Sequence, residues 1–251
     1  MCRHLAHVGP LASLSWLLLD APHALVRQSW APQDMRGGGT VNADGYGVGW
    51  YPDGESTPVR YRRDCPIWAD AALPALAAST RASAVLAAVR SATAGMPTVE
   101  TAAAPFTTDG WLFSHNGAVV GWPDTLVGLA AELPTRDLLL LDAPTDAALL
   151  WALVRHRLRA GASLVEAVGQ TVAAVRRAAP GSRLNLLLTD GKSVVGSAAG
   201  HSLWVLTRAG GTTVASEPLD DDAAWTAVAE GQLVVVDAGR VDLVPEPDWE
   251  V

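Results

Sequence analysis

Hydrophobic and polar positions in the first part of the chain follow the short-period pattern of β-strands. The segments CRHLAHV, YGVGWY, PVRYR, AVLAAVR and GWLFSH are mostly β-branched or aromatic, and Gly, Pro or Asp residues bound them. We predict a strand for each of these segments.

The middle of the chain has a helical pattern instead. In TDAALLWALVRHRLRAG, apolar residues recur at helical spacing between Thr145, a candidate N-cap, and Gly161, a candidate stop. SLVEAVGQTVAAVRRAAPG begins with a capping box from Ser163 to Glu166 and ends at its Pro-Gly pair. We predict two adjacent amphipathic helices joined by a short turn.

Strand patterns then resume in RLNLLLTDG, SVVGSAA, SLWVLT, TTVASE, QLVVVD and VDLV. The stretch LNLLLTDGKSVVG predicts a hairpin around Asp190 and Gly191. Strands, two central helices and further strands lack the strict alternation of a doubly wound parallel fold. We therefore expect mainly antiparallel sheets with helices packed on them.

Composition and charge limit the possible partners. The chain has 251 residues, is 49% hydrophobic and carries a formal net charge of −8, which suits a globular protein with an ample core. An acidic chain without a Lys/Arg run is a poor candidate for binding nucleic acid or an anionic membrane.

The apolar stretch LASLSWLLL could pass for a short signal segment, but no small-residue cleavage site follows it, and no run of 18 apolar residues occurs in the chain. We expect a cytoplasmic protein with no nucleic-acid and no membrane partner. The oligomeric state does not follow from the sequence.

Cys2 stands directly after the initiator methionine and is one of two cysteines, with Cys65. We expect no disulfide in a chain of this size and type. Removal of Met1 would give Cys2 a free α-amine beside its own thiol. The ordinary pKa values of these groups, about 7.7–8.0 and about 8.5, are matched well enough for the amine to take the thiol proton. Because HxxxH and CxxC motifs are absent from the sequence, we expect neither a metal nor a cofactor.

Two glycine-containing motifs have both a structural and a functional interpretation. GYGVG does not match GxGxxG, so its glycines favour close approach of another backbone over a nucleotide site. The pair Asn116-Gly117 is typical of a two-residue hairpin turn. The same turn could also aim the Gly117 amide and the Asn116 side-chain NH₂ at one point, as an oxyanion hole does.

Arg90 and Asp146 also leave alternatives open. Arg90 follows an apolar strand and is a surface residue, an ion-pair partner or a receptor for a substrate carboxylate. Asp146 lies in the first turn of a predicted helix and either stabilises that helix or holds a substrate ammonium.

Taken in chain order, MCRHLAHVG, DGYGVGWY, VRSATAG, TAAAPF, WLFSHNGAV, PTDAALL, NLLLTDG and ASEPLD resemble the class II glutamine amidotransferases, a family of N-terminal nucleophile (Ntn) hydrolases. The resemblance implies an α+β fold, a four-layer αββα sandwich, as a single glutamine amidotransferase type 2 domain over residues 2–251. Many family members read TDSE where this chain has Asp146 followed by two alanines, so the aspartate is kept but its neighbours differ.

The resemblance also implies the catalytic residues. Cys2 would attack the γ-carbonyl of a glutamyl amide, while Asn116 and Gly117 hold the oxyanion. The other residues implied for the site bind the substrate: Arg90 its α-carboxylate, Asp146 its α-ammonium, and Thr93 and His115 as further contacts.

Within the family, MCRH together with VRSATAGMP, TAAAPF and FSHNG is most similar to the γ-glutamyl hydrolases of ergothioneine biosynthesis. This implies a small-molecule substrate, γ-glutamyl-hercynylcysteine sulfoxide, whose quaternary ammonium suits aromatic faces; Trp30, Trp68 and Trp122 lie in predicted loops. The chain ends near the boundary of a glutaminase domain, so we expect hydrolysis rather than amide transfer. The alternatives are a glutaminase subunit that supplies ammonia to a separate synthase, and a catalytically silent binding domain.

Overall fold

The computed structural model describes residues 2–34 and 41–245. The strands of this part of the chain are β1 (Arg3–Ser13), β2 (Tyr46–Tyr51), β3 (Val59–Arg63), β4 (Arg81–Val89), β5 (Phe106–Thr108), β6 (Trp111–Ala118), β7 (Arg183–Thr189), β8 (Val194–Ala198), β9 (Trp204–Arg208), β10 (Gly211–Ala215), β11 (Thr226–Ala227), β12 (Gln232–Asp237) and β13 (Arg240–Pro245). Its α-helices are α1 (Leu25–Gln28), α2 (Leu73–Ser79), α3 (Val127–Ala131), α4 (Thr135–Leu139), α5 (Asp146–Arg159) and α6 (Leu164–Ala178).

The two long helices begin and end where the sequence predicts. The Thr145 hydroxyl accepts a hydrogen bond from the Ala148 amide at the start of α5, and Gly161 takes a positive φ of 97° after its end. Ser163 and Glu166 form the complete capping box of α6. Neither these helices nor the shorter ones in the described residues are long and apolar enough to cross a membrane.

Two antiparallel sheets form the centre of the molecule. One has the strand order β11-β9-β10-β1-β4-β2-β3 and the other β13-β12-β8-β7-β6-β5. The pair β7–β8 is the predicted hairpin around Asp190 and Gly191. All strands predicted from the sequence are present, whereas β5, β11 and the shorter helices were not predicted.

Three hydrophobic clusters separate four layers, as expected for an αββα sandwich. One cluster packs α5 and α6 on the β6–β7–β8 side of the second sheet, and it includes Trp151 and Leu186. A second lies between the sheets and includes Leu86 and Leu187. The third packs α1, α2 and the π-helical turn Trp16–Asp20 on the outer face of the first sheet. The prediction of one domain over residues 2–251 stays a prediction.

Antiparallel pairing gathers several strand ends at one end of the sandwich. Arg3 pairs with Val89, so the start of β1 lies beside the end of β4. Gly117 pairs with Leu184, so the end of β6 lies beside the start of β7. Residues that are far apart in sequence therefore meet at this end.

The hairpin interpretation of Asn116-Gly117 is wrong. Both residues lie inside β6 and pair with β7, because the strand continues to Ala118. The close-approach interpretation of GYGVG is confirmed: a Cβ on Gly47 would come 2.5 Å from the Ala104 carbonyl oxygen.

Candidate active site

A cleft opens at the end of the sandwich where these strand ends meet. Five parts of the chain contribute to its lining: Cys2 before β1, residues 88–96 at and after the end of β4, residues 102–106 leading into β5, the end of β6, and the N-terminus of α5. Of the residues predicted for a site, the cleft is lined by Cys2, Arg90, Thr93, His115, Gly117 and Asp146. Asn116 does not line it and is buried directly behind it.

Cys2 is held by the residue that follows it. The Arg3 guanidinium donates to the Cys2 carbonyl at 3.0 Å and to the Asp34 carbonyl at 2.6 Å, and it forms a buried ion pair with Glu217 at 2.8 Å. Glu217 also accepts from the Gln33 amide at 2.7 Å. The start of the described chain is thus fixed to the middle of the ASEPLD motif. The sequence analysis noted this motif without giving Glu217 a role.

The Cys2 thiol lies inside the cleft. Its sulfur is 3.7 Å from the Ser91 carbonyl oxygen, and both Cys2 and Cys65 are free thiols. Cys2 is half-buried, so a small molecule in the cleft has access to the sulfur.

Arg90 points a positive charge into the same space. Its Nη1 donates to the Pro97 carbonyl at 2.9 Å and to the Asp44 carbonyl at 3.4 Å. Its backbone amide donates to the Gly45 carbonyl, and its carbonyl accepts from the Asp44 amide. These partners are carbonyls and not carboxylates, so the Arg90 charge is not neutralised by an ion pair with any described residue. An anionic group of a ligand could form that ion pair.

Asp146 supplies the opposite charge across the cleft. It is the first residue of α5, where the helix dipole favours a carboxylate. Oδ2 accepts from the Val119 amide at 3.0 Å and Oδ1 from the Ala147 amide at 2.8 Å. Each oxygen keeps a lone pair, so this fixed carboxylate is able to accept from an ammonium as well.

His115 and Gly117 form the wall contributed by β6. His115 Nε2 lies 3.0 Å from the Arg183 carbonyl, which only accepts, so Nε2 carries a hydrogen and donates it there. A Cβ on Gly117 would overlap the Arg183 carbonyl and the His115 ring. Only glycine fits there, which leaves the backbone amide next to the cleft unobstructed.

Asn116 projects to the other face of β6. The alternation along the strand places it between the sheets, on the same face as Leu112 and Ser114. Its amide nitrogen is 3.3 Å from Ser216 Oγ, and its Oδ1 is buried without a hydrogen-bond partner in the described residues. Sequence reasoning missed Ser216 as a neighbour, although it belongs to the same ASEPLD motif.

Two buried histidines near the cleft, His4 and His201, have lowered pKa values and are uncharged. Burial above all, with further contributions from His115, His201 and Arg3, lowers the pKa of His4 well below its usual value. Burial and the Arg183 guanidinium lower the pKa of His201 to about 3. His4 Nδ1 is already engaged by the Ser114 hydroxyl at 2.8 Å.

A wider cavity of about 430 Å³ adjoins the cleft. It shares Thr93, Met96 and Asp146 with the cleft and adds the ring of Trp122. Of the other tryptophans singled out from the sequence, Trp30 is covered by the Arg27 guanidinium at 4.1 Å and Trp68 lines neither space.

The cleft brings together a free cysteine at the start of a β-strand, a guanidinium, a helix-terminal carboxylate and a strand-end glycine, all set in an αββα sandwich. This is the arrangement expected of an Ntn-type amidohydrolase. The family model of class II glutamine amidotransferases matches residues 18–211. The chain belongs to that family.

The chain is also similar to individual hydrolases over nearly its whole length. It is 39% identical over 245 residues to the γ-glutamyl-hercynylcysteine sulfoxide hydrolase of Mycolicibacterium smegmatis, covering 98% of this chain and 100% of that one. The enzyme of the same name from Mycobacterium tuberculosis is 40% identical over 244 residues, with 97% of this chain and 96% of the relative covered.

Solved structures agree on the fold. A class II glutamine aminotransferase domain protein from Silicibacter pomeroyi superposes with a TM-score of 0.68 at 22% identity, over 97% of this chain and 98% of the other. Glutamine phosphoribosylpyrophosphate amidotransferase from B. subtilis gives 0.71 at 14% identity, over 98% of this chain and 50% of the other.

Proposed function

We propose that this protein is a cysteine-dependent amidohydrolase that cleaves the γ-glutamyl amide bond of γ-glutamyl-hercynylcysteine sulfoxide and releases glutamate and hercynylcysteine sulfoxide. The observation that carries the proposal is the single cleft shared by the Cys2 thiol, the Arg90 guanidinium and the Asp146 carboxylate. The names and nearly full coverage of the mycobacterial relatives support the choice of substrate.

The two opposite charges suit the free glutamyl end. Arg90 binds the α-carboxylate in the bidentate geometry of a guanidinium, and Asp146 accepts from the α-ammonium. Thr93 and His115 line the space between them and contact the side chain. A substrate held at its α-carbon in this way presents its γ-carbonyl to the Cys2 sulfur.

The reaction needs Met1 to be removed, and Met1 lies outside the described residues. The α-amine of Cys2 then takes the thiol proton, and the sulfur attacks the γ-carbonyl. The oxyanion accepts hydrogen bonds from the Gly117 amide and the Asn116 side chain. The carbon–nitrogen bond breaks as the proton passes to the leaving amine. Water then hydrolyses the thioester, which restores the thiol and frees glutamate.

The wider cavity next to the cleft suits the leaving group. It adjoins the cleft through Thr93 and Met96, and the Trp122 ring offers a face to a quaternary ammonium. The free thiols of Cys2 and Cys65 fit a reducing compartment, and we place the protein in the cytoplasm.

The test compares turnover of the hercynyl sulfoxide, γ-glutamylcysteine and glutamine by protein whose intact mass confirms loss of Met1. We expect the hercynyl sulfoxide to have the highest kcat/KM. Equal or better turnover of glutamine would favour the glutaminase-subunit alternative, and no turnover of any of them the silent binding domain.

A variant pair tests the leaving-group position. Trp122→Ala should raise the KM for the hercynyl sulfoxide by about tenfold, a value between those of an exposed and a desolvated cation–π contact, and leave γ-glutamylcysteine unaffected. Trp68→Ala, an exposed tryptophan away from both spaces, is the matched control. An equal effect of Trp122→Ala on both substrates would contradict this placement.

A further inference from the structure

Ser216 is a buried residue that has no assigned role in the proposed reaction. It follows β10, is 1% exposed and faces the space between the sheets. Its backbone amide donates to the His4 carbonyl at 2.9 Å, and its Oγ accepts from the His4 amide at 3.0 Å. Ser216 is therefore fixed to β1 two residues after Cys2.

The hydroxyl hydrogen of Ser216 has only one group left to donate to. Within the described residues, Ser216 Oγ has two hydrogen-bond partners, the His4 amide and the side-chain amide of Asn116 at 3.3 Å. With the Asn116 NH₂ facing it, Ser216 would accept twice and donate nowhere. The Asn116 carbonyl oxygen would in turn stay buried without a partner, which is costly.

A half-turn of the Asn116 amide pairs the Ser216 hydroxyl with the Asn116 carbonyl oxygen. Rotation of χ2 by about 180° exchanges nitrogen and oxygen within the same envelope. Ser216 Oγ–H then donates to Oδ1, and the NH₂ takes the position without a protein partner. Two hydrogens of an amide donor are thereby left for a ligand atom.

That donor position is close to the nucleophile. Inward-facing residues alternate along β1, so His4 and, one step earlier, Cys2 point between the sheets with Ala6 and Val8. The same alternation places Ser114 and Asn116 inward on β6. Because His4 contacts Ser114 at 2.8 Å, the next inward pair towards the cleft is Cys2 and Asn116.

We infer that Ser216 is a positioning residue that sets the orientation of the Asn116 amide, so that its NH₂ rather than its carbonyl oxygen meets the developing oxyanion. The inference rests on the proposed function, since it gives Asn116 its role in that reaction. In the opposite orientation, the carbonyl dipole would repel the oxyanion.

A double-mutant cycle tests this. Asn116→Ala should lower kcat by about 10²–10³, the usual cost of one oxyanion donor. Ser216→Ala should lower kcat by about tenfold through loss of a single neutral hydrogen bond. In the Asn116→Ala background, Ser216→Ala should change kcat by less than about twofold, because no amide is left to orient.

Two further measurements separate positioning from a structural role. Ser216→Ala should weaken binding of a glutamate γ-aldehyde, which forms a tetrahedral adduct with Cys2, by the same factor as kcat, and leave binding of glutamate unchanged. Ser197→Ala, a 0% exposed serine that bonds Leu186 and Leu184 away from the cleft, is the control for losing a buried hydroxyl and should leave kcat unchanged.

An equal loss of kcat from Ser216→Ala in both backgrounds would overturn the inference and leave the proposed function intact. So would an unchanged kcat in Ser216→Ala. Undiminished turnover by Cys2→Ala would instead remove the proposed function itself, whatever the cycle gives.

Discussion

The space between the two sheets is lined by polar side chains at one end and by apolar side chains at the other, although the same four strands line both ends. At the cleft end of β1, β6, β7 and β10, the inward positions are polar: Cys2, His4, Ser114, Asn116, Asn185 and, just after β10, Ser216. Further along the same strands they are apolar: Ala6, Val8, Leu112, Leu187 and Val214.

The difference separates positioning from stability. Apolar side chains between the sheets stabilise the fold by leaving water. Buried polar groups stabilise it only when every donor and acceptor is paired, and His4 Nε2 and Asn116 Oδ1 have no partner in the described residues. We expect substitutions at the polar end to change the reaction and those at the apolar end to change the free energy of unfolding.

The largest effect is expected from Cys2→Ala. Without the sulfur no thioester forms, and kcat should fall by at least about 10⁴-fold, as in other enzymes that lose their nucleophile. The melting temperature should barely change, because Cys2 is half-buried and its thiol makes one weak contact. Steady-state kinetics and calorimetry measure the two quantities.

Cys65→Ala is the matched control for this variant, since it removes the other free thiol. It should retain the wild-type kcat. Loss of activity in Cys65→Ala alone would mean that Cys65, and not Cys2, is the nucleophile.

Leu187→Ala tests the apolar end. Leu187 is fully buried between the sheets, so the truncation should lower the free energy of unfolding by about 2–5 kcal/mol. Measured well below the melting temperature, kcat should stay within about twofold of wild type. Leu139→Ala, whose side chain is 79% exposed, should change stability by no more than about 0.5 kcal/mol. A large drop in kcat at low temperature would show that the two ends are coupled.

The apolar half of this comparison was predictable from the sequence, and the polar half largely was not. Strand and helix periodicity, the capping box at Ser163 and the hairpin at Asp190 all depend on neighbours in the chain, and each was confirmed. Inward and outward faces follow from the same alternation.

The contacts of the site depend on sheet pairing instead. That Arg3 meets Glu217, or that Ser216 meets Asn116, is set by long-range register that no local pattern encodes. The hairpin interpretation of Asn116-Gly117 was wrong for the same reason, because pairing with β7 continues the strand through a dipeptide that favours turns.

Asp146→Asn tests whether Asp146 binds the substrate or only stabilises the start of α5. The charge that would hold the α-ammonium is lost, and KM should rise by about 10–100-fold with a smaller change in kcat. Glu166→Gln changes the corresponding carboxylate at the start of α6, away from the cleft, and controls for capping alone. An unchanged KM with a lower melting temperature would make Asp146 a capping residue only.

The smallest effect is expected in the pH dependence of stability, from His201→Gln. Burial and Arg183 lower the pKa of folded His201 to about 3, whereas an unfolded histidine titrates near its usual value of 6.5. The stability contributed by the neutral ring is therefore fully present above pH 6.5, and it is lost progressively as the pH falls from there towards 3, because only the unfolded state takes up the proton. His4, with its pKa lowered by burial, acts in the same direction.

Chemical denaturation between pH 5.5 and 7.5 measures this slope. Unfolded carboxylates, whose ordinary pKa values are about 3.9–4.3, take up few protons in this range. His201→Gln should flatten the dependence by up to one proton, since glutamine does not titrate. Leu187→Ala should lower the whole curve without changing its slope, because no ionisable group is altered. Equal slopes in His201→Gln and wild type would mean that His201 is protonated in the folded protein, and the polar end would then hold a charge that its arginines do not favour.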